Sequence, residues 1–183
     1  MRLHNTAMKQ ALLIIDMQQG SFTPPTARHD AVALVVRLNR LAETVRRRGG
    51  AVVFIQHDGP EGDPHHPSLP GWRLMRELDA QMTDTVIRKR ACDSFLDTGL
   101  DEFLRQQDVE QIIITGCATD YCVDTTVRSA LARRWSTIVP SDGHTTSDRP
   151  HLPATKIIEH HNAIWADFIA PAGPAILRRC ADV

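Results

Sequence analysis

The chain has 183 residues, 42% of them hydrophobic, and a formal net charge of −1 from 21 basic and 22 acidic side chains, its nine histidines counted as neutral. That balance supplies no basic field for nucleic acid and no acidic tail, and no run approaches the ~20 apolar residues of a membrane span. A chain this long buries roughly 70% of its unfolded surface, so one domain over residues 1–183, needing neither disulfides nor a structural metal, is expected.

Residues 1–10 read as a short N-terminal extension without the apolar run of a signal peptide. Ala11–Ile15 is a continuous apolar stretch, as in a strand covered on both faces. From Asp30, Ala31, Leu34, Val35, Leu38, Leu41, Ala42 and Val45 recur at helical spacing, with Asp30 as N-cap and Gly49-Gly50 as the stop. Arg46, Arg47 and Arg48 fall at that helix's C-terminal end, where its dipole favours cations.

A second strand is expected at Ala51–Ile55, then a loop rich in Gly, Pro and His as far as Pro70. Thr85–Arg88 reads as a strand, Leu100–Gln107 as a helix and Gln111–Thr115 as a β-branched strand. Tyr121–Arg134 follows as a helix, Thr137–Val139 as a strand, Leu152–His161 as a helix and Ala163–Asp167 as a last strand. Alternating units of this kind specify a three-layer α/β/α domain with a mostly parallel sheet of about six strands. Ligands of such sheets bind outside the carboxyl ends of the strands.

Three polar side chains fall at those ends. Asp16 follows the first strand, Lys89 the third, and Cys122 lies shortly after the fourth, at a helix entry. A thiolate is a nucleophile that a helix N-terminus and a cation favour. A carboxylate takes the thiol proton and returns it to a leaving amine. Backbone N–H groups of Ala118 and Cys122 are placed to hold the developing oxyanion. Each residue also has a plainer reading: an inert buried cysteine, a turn-forming aspartate, and a solvated lysine between Arg88 and Arg90.

The segments Leu12-Leu13-Ile14-Ile15-Asp16-Met17-Gln18, Lys89-Arg90-Ala91-Cys92-Asp93-Ser94-Phe95 and Thr115-Gly116-Cys117-Ala118-Thr119-Asp120-Tyr121-Cys122-Val123 resemble, in order, the three signature blocks of the isochorismatase-like cysteine hydrolases. The resemblance, which runs from about Ala11 to Asp148, implies that fold and no cofactor. It also implies Asp16 as acid/base, Lys89 as catalytic lysine, Cys122 as nucleophile, a cis bond between Cys117 and Ala118, and a structural place for Asp120. It implies a homo-oligomer, dimer or tetramer, acting on a small molecule.

Nicotinamidases of that family hold a metal through an Asp-x-His pair after the second strand. His57-Asp58 stand at this point, with His65 and His66 further along. The loop carries ligand types but is read as lacking the Asp-x-His order, so a polar loop without metal is the expectation. A retained thiol argues against vinyl-ether hydrolysis of the isochorismatase type. A C–N bond in an amide, carbamoyl or ureido compound is therefore the expected target.

Phe22, Trp72 and Tyr121 are candidates for the pocket wall. His144 reads as an exposed loop residue, His160-His161-Asn162 as helix-end surface, and Cys92 and Cys180 as structural. The four cysteines lie outside any Cys-x-x-Cys spacing, which suits free thiols in the cytoplasm. Two rival readings are a thiol redox protein using Cys117 and Cys122, and a binding module that kept the fold without activity.

Overall fold

The computed structural model describes residues 8–23 and 27–183. Its centre is two strands buried on both faces, β1 (Gln10–Ile15) and β4 (Gln111–Cys117), paired in parallel from Gln10↔Gln111 to Ile15↔Gly116. Outward from β1 lie β2 (Ala51–His57) and β3 (Thr85–Lys89). Outward from β4 lie β5 (Ser136–Pro140) and β7 (Ile176–Arg178), while the two-residue β6 (His144–Thr145) also pairs with β4. The order is β3-β2-β1-β4-β5-β7, and every pairing of these strands is parallel.

Successive side chains of a strand point to opposite faces, and the sheet accordingly has two cores. Leu13, Ile15, Val53, Ile55, Ile112 and Ile114 pack on α2 (Leu100–Gln106), α3 (Asp124–Ala132) and α4 (Ala154–Ala166). Leu12, Ile14, Val52, Phe54, Ile113 and Ile138 pack on α1 (Ala31–Arg47), joined by Cys180. The apolar stripe of α1 buries Leu34, Val35, Leu38, Leu41, Ala42 and Val45. This is the three-layer arrangement, with seven strands in place of six.

Four local expectations need correction. Asp30 precedes α1 in the left-handed region (φ 51) and makes no capping bond; its carboxylate accepts from Arg37 instead. Arg46 is not a solvated helix-end charge, because its guanidinium is tied to Asp84 and Asp79 before β3. The strand expected at Ala163–Asp167 lies mostly within α4, since Ala154, Ile157 and Trp165 form a helical stripe that buries Trp165. The last strand is instead Ile176–Arg178, three half-exposed residues too short to show a period. The extension ends early as well, for Gln10 belongs to β1 and the Lys9 carbonyl accepts from Glu110 and Gln111; residues 1–7 lie outside the described part.

The strand order reverses direction between β1 and β4, and there the crevice of a parallel sheet opens. Gly116 (φ 114) makes the close approach possible: a Cβ there would collide with the Ile15 backbone. Among the described residues no helix is long and apolar enough to cross a membrane.

Candidate active site

Asp16 leaves β1 with φ 48, a left-handed turn that Asp tolerates, held by its N–H bond to the Ile55 carbonyl (2.9 Å). Lys89 ends β3, two strands away across β2, a gap of about 10 Å at normal strand spacing. Its long side chain closes that gap and is fully buried. The ammonium has three donors and three acceptors: Asp16 Oδ2 at 2.8 Å, the Ala91 carbonyl at 2.9 Å and Cys122 Sγ at 3.2 Å. Cys122 stands in a wide turn, Thr119–Val123, inserted between β4 and α3 instead of at the first turn of a regular helix. The Cys117–Ala118 bond that leads into it is cis.

The resting charge distribution differs from a preformed thiolate. Burial, then the charge of Asp16, pushes the Cys122 thiol well above its usual range, and Lys89 offsets only part of this. Lys89 itself is desolvated, yet Asp16 and Cys122 hold its affinity for the proton above the ordinary lysine value. The thiol is therefore held to its proton more tightly than usual, beside the Lys89–Asp16 pair. Asp16 Oδ1 is buried and has no hydrogen-bond partner among the described residues. It is a buried acceptor with a free lone pair beside the shared ammonium.

A cavity of about 280 Å³ opens onto Cys122. Asp16, Cys117, Ala118 and Tyr121 line it, together with residues that sequence reasoning did not single out for the wall: Ser21, Arg28, His57, His65, Cys92 and Arg149. Tyr121 lies at its rim, about half exposed, with the Arg149 guanidinium 5.0 Å over its ring. Arg149 also pairs with Asp120, which takes a further bond from Thr146.

Phe22 and Trp72 are placed elsewhere. Phe22 packs on the α1-side core. The Trp72 indole N–H bonds Asp58, and Arg88 covers the ring, so its amphipathic edge is engaged outside the cavity. Its carbonyl accepts from Gln18 and Gln56. Gln18, fully buried, also brackets the His57 backbone on both sides and so fixes the end of β2. Its position two residues after Asp16, in an otherwise buried run, was the one available signal.

The histidine loop is polar scaffolding. Asp58 pairs with Arg88, and His66 bonds Ser68. An Asp-x-His order does occur further along, at Asp63-Pro64-His65, but His65 Nδ1 meets Asp63 (2.9 Å) and Nε2 meets Ser21 Oγ (2.9 Å). Both ring nitrogens of His65 are thus engaged. Among the described residues no three His, Cys, Asp or Glu side chains stand together as a metal set. His57 faces the cavity with Nδ1 buried and, among the described residues, without a partner; burial, then Lys89, lowers its proton affinity.

Three other expectations change. His144 is buried in β6, with Nδ1 toward Thr119 Oγ1 and Nε2 toward Asn162 Oδ1, and its pKa is lowered to about 4 by desolvation. Asn162 is therefore part of the support beneath the wide turn, not surface. Cys92 lies on the cavity wall, whereas Cys117 is sealed, its thiol pushed up to about 12 by burial.

The family model of the isochorismatase domain matches residues 10–167, which covers all three site segments. The chain belongs to the isochorismatase family. Within the family it is 33% identical to a streptothricin hydrolase of Streptomyces noursei over 79% of this chain and 52% of that one, so it spans about half of that relative's length. It is 28% identical to the ureidoacrylate amidohydrolase RutB of Yersinia enterocolitica, over 72% of this chain and 73% of the other. A solved isochorismatase family protein superimposes with a TM-score of 0.86 at 33% identity, covering 94% of this chain and 99% of its own. The fold is shared by N-carbamoylsarcosine amidase from Thermoplasma acidophilum, with a TM-score of 0.77 at 24% identity over 96% and 99% of the two chains.

Proposed function

We propose that this isochorismatase-family chain is a cysteine hydrolase that cleaves a C–N bond of a small amide, carbamoyl or ureido compound without a cofactor. The observation that carries the reading is Lys89 Nζ bonded at once to Asp16 and Cys122, with the second Asp16 oxygen unpartnered. Asp16 accepts the thiol proton as sulfur adds to the carbonyl carbon, forming a C–S bond and an oxyanion. The N–H groups of Ala118 and Cys122 stabilise that oxyanion, each donor contributing about 2.7–4 kcal/mol. Collapse breaks the C–N bond, and Asp16 returns the proton to the leaving nitrogen. Water, deprotonated by Asp16, then cleaves the thioester and restores the thiol.

Throughout, Lys89 keeps an ammonium against whichever neighbour carries the negative charge. A dimer or tetramer of this chain, in the cytoplasm, belongs to the same proposal. The two named relatives acting as hydrolase and amidohydrolase support the reaction class.

The test is a panel of small amides and ureido acids scored for ammonia or amine release, beside Cys122→Ala. Intact mass of the quenched enzyme should show an acyl adduct on the wild type alone. Equal release by both proteins would reject the mechanism. A second reading rests on the chain Ser21–His65–Asp63, a hydroxyl–imidazole–carboxylate order found in serine hydrolases. Loss of the adduct in Ser21→Ala, with its retention in Cys122→Ala, would favour the serine.

A further inference from the structure

Charge on the cavity wall does not balance. The Lys89 ammonium faces Asp16 at 2.8 Å, and the Arg149 guanidinium faces Asp120 at 2.8 Å. Arg28 has no such counterpart. It donates from Nε to the Ser21 carbonyl (3.0 Å) and from Nη1 to Ser147 Oγ (2.9 Å), both uncharged acceptors. Among the described residues it has no carboxylate partner and no bond from Nη2.

Those two bonds fix the guanidinium plane. Ser21 is itself clamped by His65, and His65 by Asp63, so the support continues two residues further. The guanidinium shares one cavity with Ala118 and Cys122, at the end where the reaction is placed. A half-buried cation without a counter-charge is costly unless a ligand supplies one. A planar guanidinium edge suits a carboxylate, which accepts two N–H bonds in its plane.

We infer that Arg28 receives a carboxylate in the cavity beside Cys122. Resting on the hydrolase reading, this narrows the substrate to a small acid whose amide, carbamoyl or ureido carbon lies a few bonds from its carboxylate. The cavity of about 280 Å³ suits such a compact ligand. A neutral amide of the same size would leave Arg28 unpaired and react more slowly.

Iodoacetate and iodoacetamide test this without a substrate, because they have nearly the same size and differ in the carboxylate. The same thiolate attacks the iodomethylene carbon of both and expels iodide, so the ratio of their rates at Cys122, followed by peptide mass spectrometry, cancels the ionisation of the sulfur. The expected ratio in the wild type exceeds that of N-acetylcysteine by about tenfold, the effect of one well-placed charge–charge bond. Arg28→Gln should bring it within about threefold of the free thiol, with Arg28→Lys between, and salt should erode the wild-type preference.

A wild-type ratio equal to that of N-acetylcysteine, or one unchanged in Arg28→Gln, overturns the inference and leaves the hydrolase reading to its own release assay. Failure of both reagents to reach Cys122 overturns the two together.

Discussion

At the scale of the residue, Lys89 is the cation that Asp16 and Cys122 share, and its removal exposes what each owes to it. Lys89→Met leaves the Asp16 carboxylate buried and unpaired, a change expected to cost about 3–5 kcal/mol in urea unfolding. Cys122→Ala removes one half-buried sulfur and should cost no more than about 1–2 kcal/mol. A Lys89→Met protein as stable as Cys122→Ala would mean that the ion pair contributes little. Asp16, Lys89 and Cys122 were legible as candidates because each ends or follows a strand within one of the three sequence blocks. Arg28 and Ser21 were not, since only the irregular segment between β1 and α1 brings them to the cavity; His57, the last residue of β2, had been read as part of a polar loop. Trp72 was misplaced for a different reason: its N–H needed an acceptor, and Asp58 lay on the far side.

At the scale of the element, the wide turn Thr119–Val123 holds Cys122 at the end of β4, and His144 supports it from below. Asn162 donates to Ser141, which turns its oxygen toward His144 Nε2–H; Nδ1 then accepts from Thr119. His161 and Asp142 are the titratable groups whose charges act on it, in opposite senses. Folded, His144 titrates at about 4 against 6.5 for an ordinary histidine, so the unfolded chain binds the proton first. Its contribution is present above pH 6.5 and is lost as pH falls toward 4. Thermal melts from pH 7 to 4 should show a shallower acid decline in His144→Gln than in the wild type; parallel declines would refute this. A loop histidine between Gly143 and Thr145 gives no sequence sign of such burial, because β6 is only two residues long.

The glycine in β4 sets a second limit at this scale. Gly116→Ala must place a Cβ against the Ile15 backbone at φ 114, whereas Gly49→Ala, at φ 77, meets open space. We expect a loss of about 1 kcal/mol at Gly49 and above about 3 kcal/mol at Gly116, measured by denaturant unfolding. Similar losses at both sites would show that the approach of β4 to β1 is not tight. The α4 boundary shows the same lesson in sequence form. Ala163–Asp167 has a strand's apolar content, but Trp165 continues the period of Ala154 and Ile157, and the longer pattern prevailed.

At the scale of the whole molecule, a sheet covered on both faces was readable from the apolar runs of β1, β2 and β4, as was its carboxyl edge as the place for chemistry. The order β3-β2-β1-β4-β5-β7 was not, because parallel strands pair through long crossovers and their sequences carry no register signal. Amide exchange should be slowest in β1 and β4 and faster at the edges β3 and β7. Fastest exchange in β1 would contradict the arrangement.

The central claim is that Cys122 rests as a neutral thiol whose proton passes to Asp16 within a Lys89 ion pair. The pH profile of Cys122 alkylation by iodoacetamide, wild type against Asp16→Asn, tests it most directly. Removing the Asp16 charge takes away one cause of the raised thiol and frees Lys89 for the sulfur. The profile of Asp16→Asn should therefore shift to lower pH, with faster alkylation near pH 8, even as turnover falls. An unchanged profile, or one shifted to higher pH, would contradict the account.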